Sequence, residues 1–308
     1  VQIRKSAEII SLLSSGEKIE DIEPFSLKWR SKIFPYQVLA LSINDIDNDG
    51  IDELTLLTDN EVKVLVWDGF CFVERLSAHY VDTARIKRNQ SEIRLINKDQ
   101  SQNNIHISIP DVETSIWKYD KNTLLRCGEL PFNLISIFDD SMIVGTLKDN
   151  RNYFAGQKIY LVKVSDRTRA EKPIPKDFYS IAVGDVNNDG NPEWIIVDND
   201  NVLRIYSEDM NLIWKSPILL GMGLIISDLD NNGKQEIIAT SANPQGKSDA
   251  LMIFEWDGID YTKKWESQPI NGSIFAMCLG DPNLDGINEL VIAIYTQDGT
   301  RIEFYTAN

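Results

Sequence analysis

Histidine and cysteine are scarce in this chain, two and three among 308 residues, and each scarcity closes off some chemistry. The cysteines, Cys71, Cys127 and Cys278, lie far apart and make no CxxC pair and no metal-ligand spacing. Their odd number argues against a disulfide framework, so they are expected as buried free thiols, and they say nothing of the redox compartment. The histidines, His79 and His106, give catalysis a thin case. His106 alternates with Ile105 and Ile107, which predicts an outward-facing position on a strand. No GxSxG, HExxH or glycine-rich phosphate loop is present. A His/Tyr site assembled from distant loops stays open.

Positive charge is also short, with 31 Lys and Arg against 47 Asp and Glu, for a net charge of −16. Nucleic acid and anionic membrane surfaces would be repelled, which leaves neutral, basic or cationic ligands. No run approaches ~18 consecutive apolar residues, so nothing is expected to span a membrane. Low-complexity tracts are missing too. A chain that is 43% hydrophobic and 9% aromatic is neither disordered nor fibrous, and holds material for one large core or two ordinary ones. It opens at Val1 without a basic-then-apolar leader, and is expected to be a processed or excised fragment.

What the chain does have is a repeat. Four nine-residue segments align without gaps, starting at Asp45, Asp185, Asp228 and Asp281. Oxygen side chains stand at positions 1, 3 and 5: Asp45, Asp47 and Asp49; Asp185, Asn187 and Asp189; Asp228, Asp230 and Asn232; Asp281, Asn283 and Asp285. Glycine follows at position 6, and position 9 is Glu53, Glu193, Glu236 or Glu289. Each segment lies between two short apolar runs, such as Ile181–Val183 and Trp194–Val197, which read as strands. The motif is therefore a loop joining two strands.

Spacing gives the loop its chemistry. Side-chain oxygens at positions 1, 3 and 5 converge when the chain curls tightly, and glycine at 6 permits the turn. Position 7 (Ile51, Asn191, Lys234, Ile287) then offers a backbone carbonyl, and the glutamate at 9 closes the shell. Such hard oxygen donors suit Ca²⁺ and disfavour zinc or copper. An Asx-rich hairpin turn would also use Asp, Asn and Gly, but four copies with glutamate at position 9 each time exceed what a turn requires. An EF-hand fails, because position 12 is Leu56, Ile196, Ala239 or Ile292, each in a strand-like run. The first loop carries four carboxylates and the others three, so charge count predicts that it binds tightest. Four Ca²⁺ would halve the net charge of −16.

The segment from Gly184 to Val197 resembles the FG-GAP or VCBS repeat of integrin-alpha-like β-propellers. That resemblance extends from about Phe25 to the C-terminus, specific in four blades and weak in the middle. It implies an all-β propeller of four-stranded blades, each Ca²⁺ loop joining a blade's first two strands. Departures are asparagine at Asn187, Asn232 and Asn283, and no glycine before Asp45 or Asp228. Loop starts are 140, 43 and 53 residues apart, and the long gap holds two blades without the loop. Their inner strands are expected at 81–86 and 134–138, giving six blades, with seven as the alternative.

A second signature marks the outermost strand: Trp29-Arg-Ser31, Trp214-Lys-Ser216 and Trp265-Glu-Ser267. Trp29 ends a blade whose earlier strands are absent upstream, while the last blade runs out of chain after two more strands. A strand near 25–31 is therefore expected to complete the C-terminal blade and close the ring. Residues 1–24 fit no blade and read as a linker, leaving 25–308 as one domain. Trp67-Asp-Gly69 and Trp256-Asp-Gly258 read as turns at third-strand ends.

The expected function is a non-catalytic, Ca²⁺-stabilised interaction or scaffold domain with up to four ions. The resemblance and the loops place it in an extracellular, cell-surface or periplasmic protein, as a monomeric domain of a longer chain bound to a protein or glycan. The alternative is a lectin or polysaccharide-lyase-type module.

Overall fold

The computed structural model describes residues 25–80, 94–96, 104–108, 114–130, 133–138, 141–145, 158–163, 168–174, 177–242 and 248–307. Among these, every regular element is a strand. The first, β1 (Phe25–Arg30), does not pair with its successor. Blade one is the antiparallel meander β2 (Ala40–Asn44), β3 (Glu53–Leu57), β4 (Glu61–Trp67) and β5 (Phe72–His79). Blade two holds β6 (Arg94–Ile96), β7 (Asn104–Ser108), β8 (Thr114–Asp120) and β9 (Thr123–Leu130). Blade three holds β10 (Asn133–Phe138), β11 (Ser141–Gly145), β12 (Lys158–Lys163) and β13 (Arg169–Pro173).

Blades four and five form one seven-stranded sheet. It runs β14 (Phe178–Gly184), β15 (Glu193–Asp198), β16 (Val202–Tyr206), β17 (Leu212–Ser227), β18 (Glu236–Ser241), β19 (Leu251–Trp256) and β20 (Tyr261–Glu266). The 16-residue β17 serves both blades: Leu212 to Leu219 pairs with β16, and Leu220 to Ser227 with β18. Blade six comprises β21 (Ser273–Gly280), β22 (Glu289–Thr296), β23 (Gly299–Ala307) and, outermost, β1. The predicted closure is therefore present, in the register Phe25↔Ala307 to Arg30↔Glu303. The inner strands β2, β6, β10, β14, β17 and β21 touch in that order, and β21 returns to β2.

Why these residues stack as blades is visible in the second strands. Strands β3, β15, β18 and β22 are buried along nearly their whole length, because a neighbouring blade covers each face. Their sequences are accordingly continuous apolar runs rather than alternations. The core is a series of inter-blade layers. One joins Val62 and Val64 to Ile105, Ile107 and Trp117; another joins Ile195 and Ile205 to Ile237 and Phe254.

Three sequence expectations need correction or relocation. His106 is buried, at 5% exposure, rather than outward, because β7 is a second strand and has no solvent face. Cys71 and Cys127 are exposed rather than buried, one in the β4–β5 turn and the other on the outermost strand β9. Cys278, on the inner strand β21, is partly covered, and burial pushes its thiol well up. Leu134–Phe138 falls within β10 as expected, whereas 81–86 lies outside the described residues and the described sheet of blade two starts at Arg94.

Candidate metal centres

The four repeated segments join β2 to β3, β14 to β15, β17 to β18 and β21 to β22. Each is the hairpin between an inner and a second strand, so all four lie on one face of the ring. Their backbones follow one path. Position 4 is left-handed in every loop (Asn48, Asn188, Asn231, Leu284; φ 61, 59, 56 and 58°), and so is the glycine at position 6 (φ 83 to 88°). Asparagine tolerates that conformation and glycine adopts it freely, which is why the loops are rich in both.

Side-chain bonding repeats as well. The first aspartate accepts two N–H groups: Oδ1 of Asp45 from Asp49 (3.1 Å) and Oδ2 from Gly50 (2.9 Å). The equivalent pairs form at Asp185, Asp228 and Asp281. Position 3 accepts from the N–H of position 5, and position 5 from that of position 7, as Asp49 does from Ile51 at 2.9 Å. Asn191, Lys234 and Ile287 donate their N–H groups in the same way. This network holds the side chains of positions 1, 3 and 5 against the backbone of their own loop.

The glutamate at position 9 begins the second strand and is buried in each loop: 0% exposed for Glu53, 2% for Glu193 and Glu289, 3% for Glu236. In the first three loops its Oε2 accepts the position 2 N–H, from Ile46 (3.0 Å), Val186 (3.1 Å) and Leu229 (2.8 Å). Position 2 of the fourth loop is Pro282, which has no N–H, and Glu289 Oε2 is left without a hydrogen-bond partner. Burial, reinforced by the neighbouring carboxylates, pushes all four glutamates up to about 7.

Three loops gather carboxylate oxygens within 4.8 Å of one another: Asp45, Asp47 and Glu53; Asp228, Asp230 and Glu236; Asp281, Asp285 and Glu289. In the second loop Asn187 stands between the acids, its Nδ2 donating to Glu193 Oε1 at 2.9 Å and to Asp189 Oδ2 at 3.2 Å. The groups gathered in those three loops are carboxylate oxygens, and two buried glutamate oxygens, Glu236 Oε1 and Glu289 Oε2, lack a donor. Those are the properties that a hard divalent cation requires.

Two features escaped the sequence. Arg75 of β5 reaches the first loop, Nη1 lying 2.7 Å from Asp47 Oδ2 and 3.5 Å from Glu53 Oε1. The glycines before Asp185 and Asp281 are places of close approach. A Cβ on Gly184 would collide with the Gln235 side chain, and one on Gly280 with Ile43. Both contacts come from the next blade, so no pattern within one repeat could have shown them.

Comparison with protein-family models and with curated proteins finds no match. Solved structures do match. A crystal structure of BBS1N in complex with ARL6DN, soaked with lead, aligns with a TM-score of 0.57 at 12% identity, covering 93% of this chain and 97% of that one. The mercury-soaked counterpart gives 0.54 at 8% identity with the same coverage. The chain is a β-propeller. At such identities the likeness concerns the fold, and within this propeller four blades carry the acidic loop while blades two and three do not.

Proposed function

We propose that this propeller is a non-catalytic protein-interaction domain whose blades are pinned by Ca²⁺ in FG-GAP/VCBS-type loops. Residues 25–308 act as one domain, in a secreted, cell-surface or periplasmic protein. The observation that carries the calcium is the pair of buried glutamate oxygens without donors, set among converging aspartates. A bound ion would give each oxygen a partner and hold the glutamates ionised. It would also tie the first and second strands of a blade together at the rim.

A protein partner is favoured by the loop face itself. The turns from third to fourth strand share that face with the acidic loops, and their tips bear Phe70 (85% exposed) and Ile259 (87% exposed). Leu284 and Ile287 of the fourth loop are exposed on the same face. Large apolar side chains held out on a rigid rim favour contact with another protein. The structural neighbours were likewise crystallised as a complex, BBS1N with ARL6DN. No observation favours the glycan reading: Trp67 packs against Trp29, Phe72 and Phe304, and Trp256 against Tyr261, so neither is a free stacking platform.

Thermal unfolding tests the calcium. EDTA is expected to lower Tm, Ca²⁺ in excess to restore it, and Mg²⁺ to fail, since an ion that binds only the folded state stabilises it by mass action. A melting point indifferent to EDTA and Ca²⁺ refutes the reading.

A further inference from the structure

The four loops share a backbone but differ in what stands beside the position 9 glutamate. In the second and fourth loops an asparagine amide does so, Asn187 Nδ2 at 2.9 Å from Glu193 Oε1 and Asn283 Nδ2 at 2.7 Å from Glu289 Oε1. In the first loop a guanidinium does. Arg75 lies 2.7 Å from Asp47 and 3.5 Å from Glu53, with the Tyr119 ring 5.5 Å from its Cζ and Asn122 Oδ1 3.5 Å from Nη2. A full positive charge, fixed by blade two, thus bridges positions 3 and 9.

The third loop has neither device. Its position 3 is Asp230, which brings a charge and no N–H, and Glu236 Oε1 is buried without a hydrogen-bond partner. The residue that could have served as Arg75 does is diverted. In blades one and five the third and fourth strands pair with the same bulge, Trp67↔Phe72 corresponding to Trp256↔Tyr261, so the extra residue is Arg75 in one and Lys264 in the other. Lys264 Nζ lies 3.4 Å from Glu255 Oε2, and Lys234 Nζ lies 3.5 Å from Glu255 Oε1. Blade one has Val66 where blade five has Glu255, so nothing there draws Arg75 off its loop.

We propose that the Asp228–Glu236 loop is the tightest divalent-cation site of the propeller, and that Arg75 replaces the ion in the Asp45–Glu53 loop. This rests on the calcium reading above and reverses the order that counting carboxylates gives. Charge count favours the first loop only if no resident cation already neutralises it; with Arg75 in place, an entering Ca²⁺ must displace a guanidinium held on four sides. In the third loop Ca²⁺ meets three carboxylates and no competitor.

The test is calorimetric titration of the whole chain with CaCl₂, alongside melting curves. Asp230→Asn gives the third loop the amide that the second and fourth have, and is expected to weaken the tightest binding step at least tenfold. Asp49→Asn leaves the first loop with three carboxylates and is expected to leave that step unchanged. Arg75→Met should add one bound Ca²⁺ per chain and lower Tm in EDTA, with recovery in Ca²⁺. Loss of the tightest step in Asp49→Asn but not in Asp230→Asn overturns the ranking while the calcium reading stands. An unchanged stoichiometry in Arg75→Met overturns the substitution of Arg75 for the ion. Absence of any Ca²⁺ response in the wild-type chain overturns the calcium reading and this inference together.

Discussion

Position 4 of the acidic loops takes the left-handed conformation in all four copies, and three of the four residues there are asparagine. The exception is Leu284, at φ 58° and 53% exposed, where a branched side chain is held in a disfavoured backbone region with little packing in return. Leu284→Asn is expected to stabilise the protein by about 1 kcal/mol, read as a rise in Tm. A second residue-scale prediction concerns acid. Burial of Asp198 would raise its carboxyl, but Arg204 Nε at 2.6 Å and the N–H groups of Val202 (3.0 Å) and Asp200 (2.9 Å) outweigh it and lower it below the ordinary range. A carboxyl depressed in the folded state contributes stability above its unfolded pKa of ~3.9, which is lost as pH falls through the folded value. Denaturant unfolding should therefore show Asp198→Asn less stable than wild type at pH 7, by about 1–3 kcal/mol, with the gap narrowing as the pH falls below the unfolded value of ~3.9. Loop chemistry was legible at this scale because its donors are one to five residues apart. Arg75 was not, since strand pairing carries it to Glu53 across 22 residues, and no local spacing encodes that meeting.

At the scale of the element, the Trp-x-Ser signature acquires a mechanism. The serine hydroxyl at the end of an outermost strand accepts an N–H from the first half of the third strand: Ile302 to Ser31 at 2.9 Å, Leu203 to Ser216 at 3.2 Å and Leu251 to Ser267 at 3.0 Å. Each hydroxyl donates onward to a nearby carbonyl, of Lys32, Ile218 or Gln268. The tryptophan meanwhile packs toward the next blade, as Trp29 does on Trp67 and Phe72, and Trp214 on Tyr261. Ser216→Ala leaves a buried N–H unsatisfied and is expected to cost about 1–2 kcal/mol, with faster hydrogen exchange at Leu203. Elements flanking an acidic loop were readable because a polar turn between two apolar runs fixes both strand ends. Blades two and three carry no such marker, and alternation alone points His106 outward, although β7 is buried along its whole length.

At the scale of the molecule, ring closure rests on β1, which supplies blade six from the opposite end of the described chain. Beyond its ladder with β23, it places Phe25 on Trp265 of blade five and Trp29 among Trp67, Phe72 and Phe304. Arg30 lies 2.6 Å from Glu303, a buried carboxylate that also accepts from the Tyr305 hydroxyl at 2.9 Å. A chain lacking residues 25–31 loses both aromatic anchors and is expected to be destabilised by roughly 5 kcal/mol or more, with the bared β23 edge driving self-association. Melting curves and size-exclusion chromatography check this, and a synthetic 25–31 peptide should restore the monomer. Closure was legible because two deficits, a blade short of one strand and a strand short of its blade, matched by count. The fusion of blades four and five through β17 was not, since Pro217 and the two glycines Gly221 and Gly223 look like a break, whereas the strand continues past them with an irregular ladder to β18 between Leu220 and Leu224.

The register of that clasp has a mechanical consequence. Because Phe25 faces Ala307, both strands leave the ladder at the same rim. Tension applied to the two ends would open it like a zip, loading one rung at a time rather than all of them together. The seam would thus yield at a lower force than a ladder of the same length pulled in shear.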